Sequence, residues 1–69
     1  MINPRYKAFS VAASEGSLTK AAELLNYSPS GVSQLITALE KELGFPLFER
    51  SKKGLTITSN GSAILPVIR

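Results

Sequence analysis

The only acids in this chain are five glutamates, Glu15, Glu23, Glu40, Glu42 and Glu49, and it has neither histidine nor cysteine. Acid–base or nucleophilic catalysis needs a titratable pair gathered in one pocket, and nothing in the spacing of these glutamates gathers them. The same absences remove the usual zinc ligand sets and any disulfide. No catalytic residue, metal or cofactor is therefore expected. The groups left with chemistry to offer are short hydroxyls, an amide and cations. Ser28, Ser30, Ser33, Gln34 and Thr37 stand in one run, and Arg50, Lys52 and Lys53 in another. Glutamine pairs with the N6/N7 edge of adenine, serine and threonine bond to several base edges, and lysine and arginine neutralise phosphates. Read together, the two runs point to a nucleic acid.

The charge distribution sharpens this. The net charge is +3 with a pI near 9.6, compatible with a polyanionic partner but too mild to establish one. Residues 29–44 carry Lys41 against Glu40 and Glu42, whereas residues 50–54 carry Arg50, Lys52 and Lys53 with no acid among them. The positive charge is thus local.

Positioning such groups falls to a small domain. At 69 residues the chain holds one core, and a chain of that size buries only about 60% of the surface its unfolded form exposes. No apolar run approaches the ~20 residues of a membrane span, and Met1-Ile2-Asn3-Pro4 lacks the basic start and apolar stretch of a signal peptide. A soluble, cytoplasmic domain with no membrane partner is expected.

Asn3-Pro4 is a helix start: asparagine accepts a bond from an orphan N–H, and proline at the first helical position has its φ preset. The first helix is predicted from about Pro4 to Ser14, with Tyr6, Phe9, Ala12 and Ala13 as its core stripe and Gly16 closing it. Ser17 caps a second, Leu18 to Leu25, whose Ala21, Ala22, Leu24 and Leu25 are available for close packing. Asn26-Tyr27-Ser28-Pro29 ends that helix and at once begins a third, Ser28 serving as cap and Pro29 as first residue. Two helices joined so tightly form a helix-turn-helix, the second free to enter a DNA groove; the competing reading is an ordinary helical corner.

The third helix, about Pro29 to Leu43, has the clearest pattern. At ~100° per residue, Val32, Ile36, Leu39 and Leu43 fall within about 60° of arc, with Leu35 at the flank. Ser30, Ser33, Gln34, Thr37 and Lys41 fall opposite, near a helix N-terminus that favours phosphate. Such a face serves equally as solvated surface, and the next segment decides between the two. After Gly44, Leu47-Phe48-Glu49-Arg50 and Leu55-Thr56-Ile57-Thr58 flank Ser51-Lys52-Lys53-Gly54, a β-hairpin with a basic tip. A lone hairpin is marginal in water, so Phe48, Leu55 and Ile57 are expected to pack on the helices and hold the tip outward as a wing. A lysine pair in a turn is often merely solubilising; beside a polar helix-turn-helix face it favours DNA contact.

Thr58 caps a fourth helix, about Ser59 to Arg69, weakened by Gly61 and Pro66. Its Ala63, Ile64, Leu65, Val67 and Ile68 are too apolar to stand in water, and a partner subunit is the expected cover.

The series Ala21-Ala22-Glu23, Leu25, Ser28, Val32-Ser33, Ile36, Leu39-Glu40, Leu43-Gly44, Leu47-Phe48, Arg50, Ile57-Thr58 and Gly61 resembles the DNA-binding domain of LysR-type transcription regulators over nearly the whole chain, with Ile57 where the family has leucine. The resemblance implies a mainly α winged helix-turn-helix over residues 1–58: a three-helix core, a two-stranded β wing, and the start of a linker helix over 59–69 that pairs two subunits. It implies a third helix in the major groove, a wing on the backbone or minor groove, and a pseudo-palindromic double-stranded DNA operator. It also implies an effector-binding domain beyond Arg69, absent from this chain, through which any small-molecule effector would act. Carried over by position, Ser30, Gly31, Ser33 and Gln34 form the groove-facing set, Thr19 and Arg50 contact phosphate, and Lys52 and Lys53 make the wing contact; Ser28, Pro29 and Thr37 are counted with them as DNA-binding residues, and Glu40 is structural. Pro29 stands where the family often has glutamine and Leu35 where a polar residue is common, so base contacts at those places do not transfer.

Two further expectations concern energetics. With no arginine on the third helix, no bidentate guanine contact is available, and specificity per half-site should be modest. Affinity should lean on phosphate contacts from Arg50, Lys52, Lys53 and Lys20. The competing class is a winged helix whose third-helix face or apolar fourth helix docks on protein while the lysines only solubilise.

Overall fold

The computed structural model describes residues 3–51 and 54–68. Its elements run α1 (Pro4–Glu15), α2 (Leu18–Leu25), α3 (Pro29–Leu43), β1 (Phe48–Ser51), β2 (Gly54–Ile57) and α4 (Ser59–Ile68). This is the expected mainly α architecture with a two-stranded wing. The first helix extends one residue further than its pattern suggested, to the αL glycine that stops it, and each strand is displaced by one residue toward the hairpin tip. Arg69, Lys52 and Lys53 lie outside the described residues.

Local chemistry sets the helix boundaries. The Arg5 N–H donates to Asn3 Oδ1 at 2.9 Å, the Lys20 N–H to Ser17 Oγ at 3.2 Å and the Gly31 N–H to Ser28 Oγ at 3.0 Å. Each cap satisfies a donor that the first helical turn leaves orphaned. Asn26, at φ 60°, lets the chain leave α2 and begin α3 almost immediately, the Tyr27 N–H closing on the Ala22 carbonyl at 2.9 Å. Asparagine visits this left-handed region at low cost, which is why so tight a turn is possible without glycine.

α1 packs against both α2 and α3, and α2 against α3. Ala8, Phe9 and Ala12 of α1, Ala21 and Ala22 of α2, and Val32, Ile36 and Leu39 of α3 are buried, joined by Leu47 and Phe48. The alanines let the three axes approach, while Phe9 and Phe48 fill the centre with ring centroids 5.4 Å apart at 62°, an edge-to-face pair. Leu24 departs from the expected packing: it is 65% exposed, and its neighbour Leu25 turns partly inward instead.

The hairpin is antiparallel, pairing Phe48 with Ile57, Glu49 with Thr56, Arg50 with Leu55 and Ser51 with Gly54. With side chains alternating across a strand, Phe48, Leu55 and Ile57 face the helices as expected, and Glu49 and Thr56 face away. α4 returns toward α1. Part of its cover comes from the domain itself. Ile64 and Leu65 pack on the domain's own core, leaving Ala63 and Val67, on the opposite side, exposed.

Gly61, expected to weaken α4, also has a packing reason to be glycine. It is buried in α4, and a Cβ there would lie 2.5 Å from the Leu47 carbonyl oxygen and 3.0 Å from Ile57 Cγ1. The close approach of α4 to the entry of β1 needs a residue without a side chain.

Candidate nucleic-acid interface

α3 carries the interface from its N-terminus. Pro29 presets the first turn and the Ser28 hydroxyl accepts the Gly31 N–H, while Val32, Ile36 and Leu39 anchor the helix to the core. Anchoring one side fixes the other. Ser30, Gln34, Thr37 and Lys41 are exposed there, a strip of acceptors and donors on a rigid rod. Among the described residues the Gln34 and Thr37 side chains bond to no other residue, so their hydrogen-bonding capacity faces solvent.

Several of the residues expected at the DNA are engaged within the fold or partly covered by it. Ser33 is only half-exposed, because its place on the helix lies beside Ile36 at the border of the core stripe. Ser28 Oγ is occupied by the Gly31 N–H and lies 3.3 Å from Ser30 Oγ, so Ser28 and Ser30 form one cluster at the tip of α3. Gly31 fits beneath that cap: a Cβ there would meet Ser28 Oγ at 3.1 Å. Pro29 is exposed and apolar.

Arg50 and Thr19 come from different elements on either side of one groove, which Arg50 lines and Thr19 follows in sequence. Arg50 shares the helix-facing side of the hairpin with Leu55 but, being near its tip, remains exposed. Together with Gly16, Ser17, Leu18, Gly54 and Leu55 it lines an open groove between the wing and the start of α2. Thr19 is exposed in the first turn of α2, immediately after that groove's Leu18. A guanidinium beside a helix N-terminus is suited to an anion, since the charge and the helix dipole act in the same sense. The expected wing contacts Lys52 and Lys53 lie outside the described residues.

One functional arrangement escaped the sequence reading. Glu40, half-buried on α3, accepts the Leu47 N–H at 2.7 Å and the Phe48 N–H at 3.3 Å, both on Oε2. Hydrogen bonds to an ionised carboxylate contribute roughly 1.5–3 kcal/mol each, so this is a strong tie between α3 and the first residue of β1. The sequence marks Glu40 as structural but contains no sign of which backbone groups it meets. Elsewhere, Arg5 Nη1 and Glu42 Oε2 form an exposed ion pair at 3.5 Å that joins the start of α1 to the end of α3.

No helix among the described residues is long and apolar enough to cross a membrane, and no cluster of three or more acidic, histidine or cysteine side chains that could hold a metal occurs among them. The helix-turn-helix, its exposed polar strip and the hairpin beside it define a winged helix domain. Residues 5–62 match the model of the bacterial regulatory helix-turn-helix proteins of the lysR family, and the chain belongs to that family. It is 42% identical over 59 residues to the HTH-type transcriptional regulator YofA of Bacillus subtilis (strain 168), an alignment covering 86% of this chain and 21% of YofA. Among solved structures it is similar to the CbnR DNA-binding domain in complex with DNA (TM-score 0.90, 35% identity, 94% of this chain and 75% of that one). It is also similar to the BenM DNA-binding domain on benA site 1 DNA (TM-score 0.87, 31% identity, 93% and 72%). The chain spans about a fifth of the length of the curated relatives it matches.

Proposed function

We propose that this chain is the sequence-specific DNA-binding part of a bacterial transcription regulator, acting on chromosomal DNA in the cytoplasm and performing no catalysis of its own. The observation that carries the reading is the division of α3 into a buried apolar side and an exposed strip of Ser30, Gln34, Thr37 and Lys41. A rod held on one side by the core inserts its other side into a major groove as a unit. The family's DNA-bound members, CbnR and BenM, share this fold and support the assignment.

In this reading residues 1–58 form the DNA-binding domain. Gln34, Ser30, Ser33 and Thr37 face base edges, with Pro29 and Gly31 at the backbone approach and Ser28 holding the helix tip. Thr19, Arg50, Lys52 and Lys53 neutralise phosphates. Residues 59–69 begin a linker helix through which two copies pair; the exposed Ala63 and 81% exposed Val67 on its outer side supply the apolar surface for it. A dimer reads a pseudo-palindrome whose half-sites lie about 10–10.5 bp apart or a multiple of that. Any small-molecule effector acts through a C-terminal domain outside this chain.

Fluorescence anisotropy on duplex from the region upstream of the chain's own gene, titrated with salt, tests this. Each phosphate contact contributes about −0.9 to the slope of log K against log salt, so Lys52→Ala should flatten the slope by about that amount. Binding no tighter than to random duplex would overturn the DNA reading in favour of a protein-docking module.

A further inference from the structure

We infer that Glu40 is the positioning residue of the wing, the group that fixes Arg50 relative to the base-facing side of α3. The inference rests on the DNA-binding reading above.

Glu40 follows Ile36 by one helical turn, at the border of α3's core stripe, and reaches the two N–H groups that open β1. Leu47, whose N–H it takes at 2.7 Å, is fully buried. That residue is clamped from its other side as well. Its carbonyl accepts the Thr58 N–H at 2.9 Å, and Gly61 presses against the same oxygen. Thr58 is itself held: its hydroxyl donates to the Pro46 carbonyl at 2.8 Å and accepts the Gly61 N–H at 3.0 Å. One buried residue, Leu47, with the peptide groups on either side of it, thus joins α3, the wing and α4.

The core holds β1 by a different means. Phe48 stacks edge-to-face on Phe9 of α1, a contact that holds the strand to α1 and not to α3. The Glu40 carboxylate ties the entry of β1 to α3 itself through hydrogen bonds. Arg50 follows Phe48 by one alternation of the strand, on its helix-facing side. A displacement at Leu47 therefore passes directly to the guanidinium. Base-facing residues and the wing cation then dock on DNA as one rigid body, with their spacing set by a group that touches neither base nor phosphate.

The test is the salt dependence of binding to a random-sequence duplex of about 25 bp, enough for two successive half-sites. Arg50→Ala should flatten the log–log slope by about 0.9. Glu40→Ala should flatten it by the same amount, and the double variant by no more than either alone. Glu40→Gln, which removes the charge but keeps an oxygen able to accept both N–H groups, should retain the wild-type slope. Base preferences selected from a randomised pool should be unchanged in Glu40→Ala. Simple destabilisation would lower the active fraction and leave the slope alone. Should Glu40→Ala not fold, Glu40→Asp, one methylene too short to reach both N–H groups, replaces it with the same expectation. A wild-type slope in that variant, additive losses in the double variant, or a Gln variant that behaves like Ala would overturn the inference. Absence of salt-dependent binding by the wild type would instead overturn the DNA reading itself.

Discussion

The two sides of α3 are opposites in how their bonding capacity is used. On the inner side Val32, Ile36 and Leu39 are sealed, and at its border Glu40 Oε2 accepts the N–H groups of Leu47 and Phe48. On the outer side Ser30, Gln34, Thr37 and Lys41 face solvent. Among the described residues no buried polar side-chain atom lacks a partner, so unspent hydrogen-bonding capacity lies at the surface, and α3 presents its share on its outer side. Stability and recognition are therefore separable: changes inside should move folding, and changes outside should move binding alone.

The largest effect expected is at the centre. Phe9→Ala removes a ring that is fully buried and stacked on Phe48; such truncations cost about 3–5 kcal/mol, comparable with the entire stability of a domain this small. Circular dichroism should show a largely unfolded chain at room temperature. A cooperative melt close to wild type would break the distinction drawn between the two sides.

Gly61→Ala comes next. The added methyl would meet the Leu47 carbonyl at 2.5 Å, where the neighbour is backbone and cannot swing aside. A cost of about 1–3 kcal/mol is expected for such overpacking, lowering Tm by roughly 4–8 °C per kcal/mol in a domain of this size. Alanine is intrinsically the better helix former, so a raised Tm would show that α4 does not dock as described.

Ser28→Ala should sit between the two sides and sharpen the boundary. Its hydroxyl caps the Gly31 N–H, and loss of such a cap costs about 1 kcal/mol. The same change frays the tip that presents Ser30 and Gln34. Both Tm and affinity should fall, and Ser28→Asp, which restores an acceptor, should recover Tm while its negative charge keeps DNA affinity low. Recovery of both would assign Ser28 to capping alone.

Much of this was legible in the sequence because caps and stops are local chemistry. Asn3, Ser17 and Ser28 as acceptors and Gly16, Asn26 and Gly44 as left-handed residues act within a turn of where they stand. The apolar stripe of α3 was equally plain, since four positions within one arc leave no other face to bury. What escaped depends on distant partners. Nothing near Glu40 announces that the N–H groups of Leu47 and Phe48 would come to it. Gly61 reads as a helix weakener until Leu47 is placed against it. Leu24 and Leu25 are indistinguishable by type, and only the path of α1 decides which turns inward. The fourth helix shows the same limit. Its apolar content signals a need for cover, but not that Ile64 and Leu65 find it within their own domain. Of the site, the exposed strip was legible as a polar face; the occupation of the Ser28 hydroxyl and the bordering place of Ser33 were not.

The central claim is that the exposed strip of α3 reads bases while leaving the fold untouched, and Gln34 is its most direct test. Wild-type chain and Gln34→Ala should each be used to select binding sequences from a randomised duplex pool, with the melting of both proteins followed in parallel. The account predicts that wild type enriches a defined half-site containing adenine, and that Gln34→Ala loses the preference at that position by about 1–3 kcal/mol with Tm unchanged. An identical selected motif from both proteins, or no enrichment over the starting pool, would contradict it.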